Sequence, residues 1–134
     1  MPLSKLEGEF LISQKVARMA TITGRGIAHL VPICYAFDSQ DIYFATDLES
    51  KKIRNIALNK KVSIIIDEYF EDWSRLKGLL IYGEAEILKS DEDYNLGRDL
   101  LYKKYPQYKD FPIEEGKTAL IRVKPIKIIS WGLS

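Results

Sequence analysis

One cysteine, one histidine and no long apolar run are what the 134-residue chain offers to chemistries that depend on them. The lone Cys34 excludes an internal disulfide, and with only His29 to join it a Cys/His zinc site cannot be assembled within one chain. No run approaches the ~18 apolar residues of a membrane-spanning helix. The opening MPLSKLEGEF has neither a signal-peptide core nor an Arg-rich amphipathic pattern. The expectation is a soluble protein of the reducing cytoplasm, with no membrane partner. Surplus charge is missing too: 20 basic against 19 acidic residues leave a net +1. That balance provides no global field for nucleic acid or an anionic surface, and no basic–aromatic stripe compensates for it, so a nucleic-acid-binding barrel is disfavoured. Any anion must be held by a local arrangement.

Side-chain catalytic motifs are equally scarce. Gly24-Arg25-Gly26 lacks the third glycine of a dinucleotide fingerprint and joins two strands, so it reads as a hairpin turn. There is no Walker loop and no metalloprotease histidine pair. His29 sits mid-strand between apolar neighbours, which suits a structural imidazole. Cys34 has no cation close in sequence to lower its pKa and reads as a small core residue. No catalytic side chain and no metal ligand can be named, so if the protein is an enzyme, a cofactor carries the reaction.

What is present fits one domain over residues 1–134, long enough to bury roughly 65–70% of its unfolded surface. Ser4-Lys5-Leu6-Glu7 matches a capping box and predicts a helix to about Lys15. ARMATIT and IAHLVPICYAF form a hairpin; the second run is interrupted by Pro32 and has apolar residues on both faces, so both are expected to be buried. IYFAT is a third strand. Ser50 then caps an amphipathic helix with Ile53, Ile56 and Ala57 on one face. VSIIIDEY and Gly78–Leu88 are the fourth and fifth strands. Ser90 opens a helix over about Asp91–Tyr105, with Tyr94, Leu101 and Tyr105 on one side. TALIRV and KIIS, broken at Pro125, close the chain. Connections this short exclude most parallel crossovers, so a mainly β, closed or nearly closed antiparallel barrel of about seven strands is expected.

Within TDLESKKIRNIALNKKV one feature conflicts with helix electrostatics. Lys51 and Lys52 stand at the positive end of the helix dipole, where cations are unfavourable. A bound anion would reverse that sign: free helix N–H groups, the Ser50 hydroxyl and two ammonium groups make a phosphate cradle. On charge pattern alone, a solvated pair neutralised by Asp47 and Glu49 fits equally well.

FATDLESKKIRNIALNKKVSIIID resembles the cofactor-binding segment of the pyridoxamine 5'-phosphate oxidase-like, FMN-binding split-barrel superfamily. RMATITGRGIAHLVPICYAFD, EDWSRLKGLLIYGEAEIL and IRVKPIKIISWG resemble its first hairpin, its Trp-x-x-Leu strand entry and its final strands. The resemblance implies a six- to seven-stranded antiparallel split β-barrel that binds FMN at a homodimer interface and transfers hydride or electrons to a small-molecule substrate. It implies that Ser50, Lys51 and Lys52 hold the FMN phosphate with Thr46 facing it. Val31, Pro32 and Ile33 would run beside the isoalloxazine ring. Trp131, and in second place Trp73, would approach from the second subunit; ordinary packing is the alternative for both. The oxidases of this superfamily have Arg-Gln where this chain has Gly78-Leu79, an Arg where it has His29, and a terminal Arg motif that SWGLS does not supply. Pyridoxamine phosphate oxidation is therefore not expected. DEYFEDWSRL resembles a branch described as deazaflavin (coenzyme F-420)-dependent, and the lysines suit either cofactor. The alternative function is a flavin- or haem-binding module on the same barrel without turnover.

Overall fold

In the computed structural model, which describes residues 3–133, the capping box closes as the sequence predicts. The Glu7 N–H donates to Ser4 Oγ at 3.2 Å and the Ser4 N–H donates to Glu7 Oε1 at 2.9 Å. Helix α1 (Lys5–Ser13) follows, burying Phe10 and Leu11. Then come β1 (Ala17–Ile22), β2 (Ala28–Ile33), β3 (Tyr35–Phe37) and β4 (Ile42–Asp47), helix α2 (Lys51–Leu58), β5 (Lys61–Glu68), β6 (Lys77–Leu88), helix α3 (Glu92–Lys104) and β7 (Thr118–Trp131).

The seven strands form one antiparallel sheet in the order β2-β1-β5-β6-β7-β4-β3. β2 and β3 lie at opposite ends of that order yet are separated in the chain by Cys34 alone. The sheet must therefore curl until its two edges meet, joined by covalent chain and not by a ladder. This is a split barrel. Its interior holds the main apolar cluster, including Met19, Ile64, Ile81 and Val123, and Ile56 of α2 belongs to it. A second cluster lies outside the barrel, where Tyr94, Leu101 and Tyr105 pack on Ala36, Tyr43 and Leu120. Gly97 sets how closely α3 approaches: a Cβ there would stand 2.8 Å from Tyr43 Cδ1. Among the described residues no helix is long and apolar enough to cross a membrane.

The number of strands matches expectation through two compensating differences. The IAHLVPICYAF run breaks at Cys34, where the chain changes sheet edge, and not at Pro32, which pairs with Arg18 inside β2. Edge strands tolerate proline because one row of their backbone groups is unpaired. The last two predicted strands are one, because a bulge between Tyr82 and Gly83 absorbs Pro125 and leaves Ile126 unmatched. Gly83 is required there, since a Cβ would meet the Lys124 carbonyl oxygen at 2.8 Å. β2 is not buried on both faces: Leu30 is 65% exposed, Pro32 is exposed, and Cys34 lies on the surface and not in the core. An apolar run at an open edge looks in sequence like a central strand. In α2 the buried residue beside Ile56 is Asn55, while Ala57 faces solvent. The cap of α3 is Asp91, whose carboxylate accepts the Tyr94 N–H at 2.8 Å, in place of Ser90.

Candidate cofactor site

Helix α2 starts where β4 ends, and one short network fixes the junction. Thr46, buried at the end of β4, donates from Oγ1 to Ser50 Oγ at 3.1 Å. Ser50 Oγ in turn accepts the Ile53 N–H at 3.4 Å. The Ser50 N–H is taken by the Asp47 carbonyl at 3.0 Å. Farther along, buried Asn55 donates from Nδ2 to Thr21 Oγ1 of β1 at 3.0 Å, which locks the helix to the barrel wall. Thr21 pairs across the hairpin with His29, two residues before Val31. The structure thus brings Thr46, Ser50, Lys51 and Lys52 together, on a helix tied to the hairpin that carries Val31–Ile33.

Lys51 is exposed and Lys52 half-buried. Neither takes part in an ion pair among the described residues, although Asp47 and Glu49 precede them. Direct ion pairs with Asp47 or Glu49 are thus not formed among the described residues. Two ammonium groups stand at a helix start whose first N–H groups have no intrahelical acceptor. Arg54 adds a third cation that sequence reasoning missed, its Nη1 donating to the Glu49 carbonyl at 3.0 Å. Its place one turn after Lys51 was the available signal. A donor set of ammonium, hydroxyl and helix N–H groups matches a phosphate monoester in charge and in hydrogen-bonding sense, so the residues fit the phosphate of a flavin.

The remaining predicted residues are placed differently. Val31 is half-buried, Pro32 exposed and Ile33 buried, with β1 on one side of their strand and an unpaired edge on the other. His29 is half-buried and its Nδ1 has no hydrogen-bond partner among the described residues. Trp131 pairs with Gly78, and its ring lies over that backbone so closely that a Cβ on Gly78 would clash with Cζ2. Within one chain it lies at the opposite end of β7 from the segment that pairs beside α2. Thr46 pairs with Ala119, and roughly 40 Å of strand path separates Ala119 from Trp131 at ~3.3 Å per residue. Trp73 is 72% exposed in a 3-10 turn and donates Nε1–H to the Tyr69 hydroxyl at 3.2 Å. It belongs to neither the core nor the α2 cradle.

The model of the pyridoxamine 5'-phosphate oxidase family matches residues 5–132. The chain belongs to that family. A 5a,11a-dehydrotetracycline/5a,11a-dehydrooxytetracycline reductase of Streptomyces rimosus is 27% identical over 99% of this chain and 85% of its own length. Among solved structures, a FAD-binding protein of Mesorhizobium loti superposes with a TM-score of 0.76 at 25% identity, covering 96% of this chain and 91% of that one. The haem storage protein HutZ of Vibrio cholerae has the same fold, with a TM-score of 0.79, 18% identity and coverage of 96% and 94%. The same fold thus occurs in a protein described as FAD-binding and in one described as storing haem.

Proposed function

We propose that the protein is a flavin-dependent oxidoreductase that binds FMN, or a deazaflavin such as coenzyme F-420, and acts on a small molecule. The observation that carries this reading is the pair Lys51 and Lys52, set without carboxylate partners at the α2 start behind Ser50. An anion converts their repulsion by the helix dipole into a charge-assisted grip. Family membership and the reductase relative support the same reading. When bound, the flavin ring supplies hydride or electron transfer.

The chain's own part is binding and orientation. Ser50, Lys51 and Lys52 hold the phosphate, and Thr46 fixes the Ser50 hydroxyl that faces it. The open edge of β2 at Val31, Pro32 and Ile33 offers backbone donors and acceptors to the polar rim of the ring. Trp131 belongs to the site of a second copy, because strand path separates it from its own α2. Pyridoxamine phosphate oxidation is not part of the proposal, since Gly78 and His29 stand where the oxidases carry arginines.

A non-catalytic module is the second reading, favoured by the haem-binding structural neighbour and by His29, whose free Nδ1 would suit a ligand. The absorbance spectrum of the purified protein separates the readings, because flavin, deazaflavin and haem absorb differently. The proposal expects a flavin or deazaflavin spectrum that bleaches with a reduced donor and recovers on turnover. A Soret band, or a flavin that stays inert to every donor, would replace it with the second reading.

A further inference from the structure

A cavity of about 500 Å³ opens at the Cys34 junction, where the chain passes from one edge of the sheet to the other. Its walls are Val16, Tyr105, Pro106, Tyr108 and Phe111, with Cys34 at the rim and two cations, Lys15 and Lys104. Lys104 ends α3. Its Nζ is buried, lies 3.9 Å from the centroid of the Tyr35 ring and 5.4 Å from that of Tyr105, and has no hydrogen-bond partner among the described residues. Lys15 Nζ lies 5.5 Å from the Tyr105 centroid and donates to the Lys104 carbonyl at 3.4 Å. Neither lysine has a carboxylate partner among the described residues.

Two like charges thus share an aromatic cavity with no carboxylate paired to either among the described residues. The arrangement is costly unless something offsets it. The cation–π contacts and the negative end of the α3 dipole supply part of the compensation. Burial and the nearby Lys15 still push the Lys104 ammonium down to about 8. The cavity is also rigidly built. The Tyr105 hydroxyl accepts the Tyr35 N–H at 3.0 Å and lies 2.7 Å from the Lys15 carbonyl and 2.9 Å from that of Tyr35. One phenol therefore ties the α1–β1 connection, β3 and the α3 terminus together, and a ligand reaches Lys104 Nζ by the turning outward of that one side chain from the Tyr35 ring.

We propose that this cavity is a binding site for a small aromatic carboxylate, its ring between Tyr105, Tyr108 and Phe111 and its anionic group held by Lys15 and Lys104. The volume lies in the ordinary range for small-molecule sites, roughly 300–1,000 Å³, and the pairing of apolar walls with a few convergent charges is what such sites present. A neutral aromatic leaves the two ammonium groups uncompensated, so the site discriminates on charge. The proposal does not depend on flavin binding.

The test titrates the full chain, without flavin, with benzoate and with benzamide, following backbone amide NMR shifts. Benzoate is expected to give saturable shifts centred on Cys34, Tyr105 and Tyr108, and benzamide to bind at least about tenfold more weakly. Lys104→Met should lose about tenfold or more in benzoate affinity, Lys15→Met should also weaken it, and Lys103→Met on the exposed side of α3 should not. Melting temperatures establish that each variant folds. If Lys104→Met does not, Lys15→Met and the benzoate–benzamide comparison decide. Equal binding of the two probes, absence of saturable shifts at these residues, or lysine variants that bind benzoate like the wild type would overturn the proposal.

Discussion

Lys51 and Lys52 differ from the other lysines of their segment in one physical respect: the backbone behind them is positive. Lys60 and Lys61 follow the end of α2, where cations are favourable, and Lys60 lies 3.8 Å from Glu84 in an exposed ion pair. An anion at the α2 start should therefore depend on the first pair and ignore the second. A charge-assisted hydrogen bond is worth about 1.5–3 kcal/mol, so Lys51→Ala or Lys52→Ala should weaken FMN binding roughly ten- to a hundredfold. Lys60→Ala and Lys61→Ala should change it little. Flavin fluorescence quenching measures all four, and uniform behaviour across them would remove the cradle. The conflict with the helix dipole was legible in the sequence because it needs only an N-cap and two lysines to be seen. Asn55 was not, because a polar residue on an amphipathic helix is ordinarily solvated, and only the fold shows Thr21 waiting beneath it.

At the scale of elements, the joint between α3 and β3 is made by tyrosines. Burial pushes Tyr105 and Tyr108 up to about 12, and Tyr43 beneath α3 likewise, while Tyr35 is raised further. In the unfolded chain these phenols lose their protons near 10, so above that pH the unfolded state gains charge that the folded state refuses. Stability should fall as pH rises from 10 through 12. Lys104 acts in the opposite sense at lower pH: its folded value near 8 lies below the unfolded 10.5, so stability rises across that interval. Denaturant midpoints measured from pH 7 to 11.5 should climb and then drop, and Lys104→Met should flatten the climb alone. A midpoint that stays level to pH 11.5, with phenolate absorbance appearing near 10 in the native protein, would mean the tyrosine joint is open to water. The same scale shows where sequence and structure part. Helix starts, turns and strand periodicity are local, so α1, α2 and β4–β6 were placed from the chain alone. That Cys34 marks an edge crossing and that Pro125 is absorbed by a bulge opposite Gly83 depend on partners distant in sequence.

For the whole molecule the question is what covers the barrel's outer wall. The outward residues Leu30, Tyr82, Ile126, Ile129 and Trp131 are each at least 39% exposed; register aligns Leu30, Tyr82, Ile129 and Trp131 across β2, β1, β5, β6 and β7 on one side of the sheet, and Ile126, in the bulge, lies beside Tyr82. An apolar set of that extent on one face usually marks an interface. A second copy of the chain would account for it and would at the same time complete the proposed flavin site. Two-fold symmetry would give two equivalent sites, each with its phosphate on one chain's Ser50–Lys52 and its ring covered by the other chain's Trp131. A flavin that needs both chains binds only the dimer and must stabilise it by mass action. Size-exclusion chromatography with light scattering, run over a dilution series with and without FMN, should find a dimer whose dissociation shifts to lower protein concentration when the cofactor is present. Trp131→Ala should weaken flavin binding without touching the α2 cradle of its own chain. Mixing it with a Lys51→Ala, Lys52→Ala chain tests the sharing directly: a heterodimer with one copy of each has one site carrying both lesions and one carrying neither, so it should bind one flavin per dimer at wild-type affinity. A monomer that keeps its flavin at full affinity, or a mixture that recovers no wild-type site, would place the whole site within one chain and separate Trp131 from it.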